Sequence, residues 1–151
     1  MENPPNDWLE GDLGTMLQRF NPPNAPAPFS RYSQAVVAPE DYRWLYIAGQ
    51  VGCDRDRNIA EGFERQAELA WTNLLGIMTA SGFAPEDLVK VTLLLTDAKD
   101  VPASRVIRDR MLGPVEPAST LMVVAGLASP ALLFEVEGIA ARPGAAKRGG
   151  A

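Results

Sequence analysis

An α+β fold, with one sheet and two helices packed on one of its faces, is predicted by three observations. Within residues 62–80, Phe63, Ala67, Ala70, Trp71, Leu74, Ile77 and Met78 recur at steps of three and four, the stripe of an amphipathic helix. Residues 89–96 are a β-branched and leucine-rich run of strand length. Near the C-terminus Phe134, Val136 and Ala140 alternate with Glu135, Glu137 and Ile139, the period of a strand with two different faces. Extending the reading to the weaker segments gives the order ββαβαββ.

Pro22, Pro23, Pro26 and Pro28 each fix φ and hold the preceding residue extended, so a stiff linker ends an N-terminal extension over residues 1–26. Ahead of it, Trp8, Leu9, Leu13, Met16, Leu17 and Phe20 share one face of a predicted helix over 7–20, which Gly11 and Gly14 weaken. Short apolar runs at 33–38 and 44–48, parted by Pro39-Glu40-Asp41, read as strand, turn and strand. Gly82 ends the long helix, and Asp100 with Pro102 opens a second helix over 101–112. Strands over 119–124 and 133–141 complete a domain spanning 27–142, and residues 143–151 read as a flexible tail.

Composition narrows the function. With a net charge of -5, eleven scattered arginines and three lysines, the chain lacks the clustered cations that neutralise phosphates, so no nucleic-acid partner is expected. One cysteine and no histidine leave no zinc-type cluster, and neither a metal nor another cofactor is expected. No apolar run is long enough to span a bilayer and the N-terminus does not resemble a signal peptide; no membrane partner is expected, and the cytoplasm is the expected compartment. Without histidine, any catalysis falls to carboxylates, Tyr, Ser or backbone groups.

Glu135 and Glu137 share a strand face with Leu133 and Ile139, so they read either as an acid pair with raised pKa or as a solvated, arginine-paired rim. Tyr32 and Ser33 open the first strand, where a phenol and a hydroxyl suit a polar ligand or simply satisfy the backbone. Gly49 and Gln50 end the second strand, where glycine permits close approach or a bulge. Cys53 reads as a small apolar residue, and Asp54 and Asp56 as solvated charges of a hairpin loop. Lys90 and Lys99 carry no local sign of activation.

In combination these segments resemble the Rid/YjgF family. The resemblance rests on Tyr32-Ser33-Gln34-Ala35-Val36, Ala48-Gly49-Gln50-Val51, Gln66, Asn73-Leu74 and Val89-Lys90-Val91-Thr92. Pro117-Ala118-Ser119-Thr120-Leu121 and Glu135-Val136-Glu137-Gly138-Ile139-Ala140 complete it. It implies a chorismate-mutase-like homotrimer with a small-molecule cleft at each subunit interface. Glu137 and Tyr32 are then the expected catalytic pair, with Ser119, Gly49, Gln50 and Arg31 at the substrate. Family deaminases place an arginine after the Pro-Ala pair to hold the substrate carboxylate; here that position is Ser119. The resemblance therefore implies an imine or enamine hydrolase other than a standard amino-acid imine deaminase. The alternative is a non-catalytic trimeric protein that binds a small metabolite or regulates a partner.

Overall fold

A computed structural model describes residues 16–144. Its strands and helices are β1 (Gln18–Phe20), β2 (Ala35–Val37), β3 (Tyr42–Val51), α1 (Phe63–Ala80), β4 (Leu88–Leu95), α2 (Val101–Leu112), β5 (Ala118–Val123) and β6 (Phe134–Pro143). The main sheet has the order β3-β6-β4-β5. β6 runs antiparallel to both β3 and β4, while β4 and β5 are parallel. That parallel pair is the one α2 connects, as a parallel step requires a crossover.

Alternation along the strands decides what the helices cover. Val91, Leu93 and Leu95 of β4 and Phe134, Val136 and Ala140 of β6 are buried beneath Ala67, Trp71, Leu74 and Met78 of α1 and Ile107 and Leu112 of α2. Phe63 meets the Phe134 ring edge-on at a centroid distance of 5.8 Å. Gly82, at φ 76°, terminates α1. The amide of Phe83 donates to the Met78 carbonyl (2.8 Å) and that of Gly82 to Thr79 (3.0 Å), the paired bonds of a Schellman motif.

Two polar residues of α1 pin the connections around the sheet. The buried Gln66 donates to the carbonyls of Ala60 (3.0 Å) and Ala131 (2.9 Å), and its Oε1 accepts from the amide of Leu133 (2.8 Å). Asn73 donates to the carbonyls of Val51 and Cys53. They lock the segments leaving β3 and entering β6, which fixes where the intervening strand faces point.

The fold class is the one expected, and one segment differs. Gln18–Phe20, placed on a helix by its apolar spacing, is a strand antiparallel to β2. The pair forms a ladder of its own, linked to the main sheet by a bridge between Ser33 and Ala118. Arg19 explains the change, since its guanidinium donates to the carbonyls of Glu86 (2.6 Å) and Leu88 (2.9 Å) at the start of β4. A long-range tether of this kind overrides a glycine-weakened helical tendency. The rest of the expected helix lies outside the described residues.

Candidate functional site on the open face of the sheet

The face of the sheet turned away from the helices carries a polar cluster in an apolar frame. Glu137 aligns with Thr92 on β4, which aligns in turn with Thr120 on β5. Lys90, one step along β4, donates to the Thr120 hydroxyl. Lys90, Thr92 and Glu137 line a cavity of about 620 Å³ with Tyr46, Ile47, Ala48, Gly138 and Ile139. Burial pulls the Lys90 ammonium below the ordinary lysine pKa, and the nearby Glu137 carboxylate opposes that shift.

Glu135 lies two residues from Glu137 on the same face and aligns with Val51 of β3, just past a register shift between Ile47 and Gln50 that falls opposite Glu137. The shift brings Gly49 beneath the Glu135 carboxylate so closely that a β-carbon there would overlap its Oε1 and fall 2.7 Å from its Cδ. Gln50 folds its amide onto the carbonyls of Ala48 (3.0 Å) and Gly49 (3.2 Å). Gly49, Gln50, Glu135 and Glu137 thus gather at the β3–β6 side of the sheet.

The other expected site residues gather at the opposite edge. Ser33 bridges to Ala118, and its hydroxyl donates to the Glu116 carbonyl (2.6 Å), which sets the half-buried Tyr32 beside the start of β5. Ser119 aligns with the buried Val91, so its side chain falls on the helix side of the sheet. It is also two strand spacings from β6, roughly 10 Å, so a single chain does not join it to Glu137. Arg31 donates to the carbonyls of Gly113 and Asp109 and pairs with Asp109 (3.7 Å) and Glu116 (3.6 Å). Its charge is engaged in tethering the loop to the end of α2.

The sequence matches the family described as Endoribonuclease L-PSP over residues 22–142. A RutC family protein of Pyrococcus horikoshii is 33% identical over 119 residues, covering 78% of this chain and 91% of its own. A 2-iminobutanoate/2-iminopropanoate deaminase of Dermatophagoides farinae is also 33% identical over 119 residues, covering 78% and 90%. The chain belongs to the Rid/YjgF family. RidA from an Antarctic Psychrobacter, 33% identical, superposes with a TM-score of 0.62 over 82% of this chain and 98% of its own. A Rid family protein of Yersinia pestis shares the fold with a TM-score of 0.72 at 24% identity, over 82% and 97%.

Sequence pattern alone assigns no role to Lys90 or Thr92 and does not separate Glu135 from Glu137. A signal for Lys90 and Thr92 is nonetheless present: in an apolar strand, period two places both on the face opposite Val91 and Leu93. What no local pattern contains is the β3 bulge that seats Gly49 under Glu135. Among the described residues no group of His, Cys, Asp and Glu is arranged to hold a metal ion, and no helix is long and apolar enough to cross a membrane.

Proposed function

We propose that this protein is a hydrolase of small imines or enamines, working in clefts that form between the copies of a homotrimer. The observation that carries the reading is the division of the expected site residues. Glu137, Gly49 and Gln50 lie toward the β3–β6 side of the sheet and Tyr32 and Ser119 toward the β5 edge, so a cleft that uses all of them has to form between copies. The open face supports such an interface, because Trp44, Tyr46 and Met122 are exposed and a one-sided apolar sheet needs a cover. The count of three comes from the family resemblance.

In this reading Glu137 takes a proton from water as the oxygen adds to the imine carbon. That proton passes to nitrogen to give the carbinolamine; the hydroxyl proton then follows to nitrogen as the C=O bond forms and the C–N bond breaks, and a carbonyl compound and ammonia leave. Tyr32 of a neighbouring copy orients the water or the substrate nitrogen. Glu135, held over Gly49, adds a second acceptor on the same face. Ser119, at the β5 edge of the neighbouring copy, brings no charge to the cleft, so a carboxylate next to the imine lacks the bidentate contact that an arginine gives. The ribonuclease activity in the family's description finds no support here, since the chain has a net charge of -5 and no histidine. The alternative, a trimer that binds a metabolite without converting it, draws on the same uncharged Ser119.

Imines made by an amino-acid oxidase and trapped with semicarbazide test the proposal. Wild type should shorten the lifetime of some small imines, Glu137→Ala should not, and Ser119→Arg should speed 2-iminopropanoate hydrolysis by roughly ten- to a hundredfold at limiting substrate. If neither wild type nor Ser119→Arg hydrolyses any imine, the binding protein is the correct reading.

A further inference from the structure

Tyr32 lies on a loop outside the sheet, so its ring needs an anchor if it is to orient a water or a substrate nitrogen. We infer that Arg31 is a positioning residue for Tyr32, fixing the backbone beside it to the C-terminal end of α2. The anchoring stands without the hydrolase reading; its consequence for turnover rests on it.

Residues 29–32 run in bends between the proline-rich segment and β2. After Tyr32 the chain is anchored through Ser33, whose amide donates to the Pro117 carbonyl (3.2 Å) and whose hydroxyl donates to that of Glu116 (2.6 Å). Before Tyr32 the anchor is Arg31. Its Nη2 donates to the carbonyls of Asp109 (3.3 Å) and Gly113, and its Nε faces the carboxylates of Asp109 (3.7 Å) and Glu116 (3.6 Å). A planar fork of donors suits a receptor made of two carboxylates and the carbonyls of a helix end, where the helix dipole also favours a cation. With both carboxylates beside it, Arg31 has no net charge to offer a substrate anion, which sets this role apart from substrate binding.

The receptor is itself held in place. Asp109 Oδ1 accepts from Nε (3.0 Å) and Nη2 (2.8 Å) of Arg108, which is buried. Gly113, at φ 57°, closes α2, and its amide donates to the Asp109 carbonyl (3.1 Å). Arg31 is exposed, and exposed ion pairs contribute little to stability one at a time, so this contact is better suited to fixing a position than to holding up the fold. An anchor on each side of Tyr32 confines the backbone there to one course. That matters for chemistry, because misplacing a reacting group by about 1 Å costs on the order of a hundredfold in rate.

The test uses the full-length protein labelled with 3-fluorotyrosine at its three tyrosines, with Tyr32→Phe identifying the fluorine resonance of position 32. In Arg31→Ala that resonance should sharpen to the linewidth of a mobile ring while those of Tyr42 and Tyr46 stay as they are. In unlabelled protein, on the small imine that wild type hydrolyses fastest, Arg31→Ala should lower kcat about tenfold and change KM by less than about twofold. Arg31→Lys should recover part of the loss in both readouts. Arg65→Ala, which removes an ion pair with Glu68 on α1, should change neither. The inference is overturned if the position-32 resonance is unchanged in Arg31→Ala, or if that variant raises KM at an unchanged kcat, since Arg31 would then bind substrate. A resonance that sharpens in a protein without imine turnover would remove the hydrolase and keep the anchor. Turnover that falls in Tyr32→Phe and not in Arg31→Ala would keep the hydrolase and remove Arg31 from its site.

Discussion

The carboxylate of Glu135 rests directly on Gly49, in space that any β-carbon at position 49 would occupy. Gly49 does not have a left-handed φ, so its lack of a side chain serves the carboxylate and not the backbone. Gly49→Ala should therefore fold, at a cost of about 1 kcal/mol for moving Glu135 off its rotamer. Imine turnover should fall by at least about tenfold, since a displaced acceptor no longer meets the water. Adding Glu135→Ala should return the lost stability without returning the activity. Thermal melts and the semicarbazide assay on both variants check this.

Gln66 offers a stability prediction independent of function. Its side chain satisfies three backbone groups in a buried position, and Gln66→Ala leaves the carbonyls of Ala60 and Ala131 and the amide of Leu133 without that partner. The expected loss is about 2–4 kcal/mol, read from the urea midpoint at constant slope.

How far the sequence reached depends on where each cause lies along the chain. Phe134 and Val136 were legible as core because strand alternation is local, and Gly82 as a helix end because the Schellman bonds span a few residues. The strand at Gln18–Phe20 was not legible, because its tether joins Arg19 to carbonyls 67 and 69 residues away. The environment of Lys90 was hidden for the same reason: its partners Thr120 and Glu137 come from two other strands. The alternating face of β6 offered Glu135 and Glu137 equally, and only the bulge in β3 tells them apart by placing Glu135 on Gly49.

Lys90 also has a signature in stability against pH. Its pKa is lower in the fold than in the unfolded chain, chiefly through burial, so between the two values the unfolded state binds more protons. Stability contributed by this group therefore rises with pH across the alkaline interval just below the ordinary lysine value. Comparing wild type with Lys90→Met isolates it: the wild type should gain relative to the variant as pH increases through that interval. A flat difference in denaturation midpoints would show that Lys90 is as well solvated folded as unfolded.

The homotrimer is testable by mass and by surface. Sedimentation should give a particle of about 49 kDa, three chains of 16.3 kDa, with closed cyclic symmetry. Tyr46 is 74% exposed in the single chain, on the face proposed to be covered. Tyr46→Glu would add a second carboxylate beside Glu137 on that face and should shift the protein toward monomers at micromolar concentration. A wild-type monomer at that concentration would remove the shared cleft.

If each cleft takes Glu137 from one copy and Tyr32 from its neighbour, two inactive variants should repair each other. Glu137→Ala and Tyr32→Phe would each inactivate every cleft of their own trimers. In trimers reassembled from an equal mixture, a given cleft draws an intact Glu137 half the time and, independently, an intact Tyr32 half the time. About a quarter of wild-type imine turnover should then return, a proportion fixed by the cyclic arrangement. If both residues serve the same cleft from one chain, every cleft still lacks one of them and mixing restores nothing. The separation of Glu137 on β6 from Tyr32 beside β5 favours the first outcome, because neither strand edge can reach the other across the intervening β4.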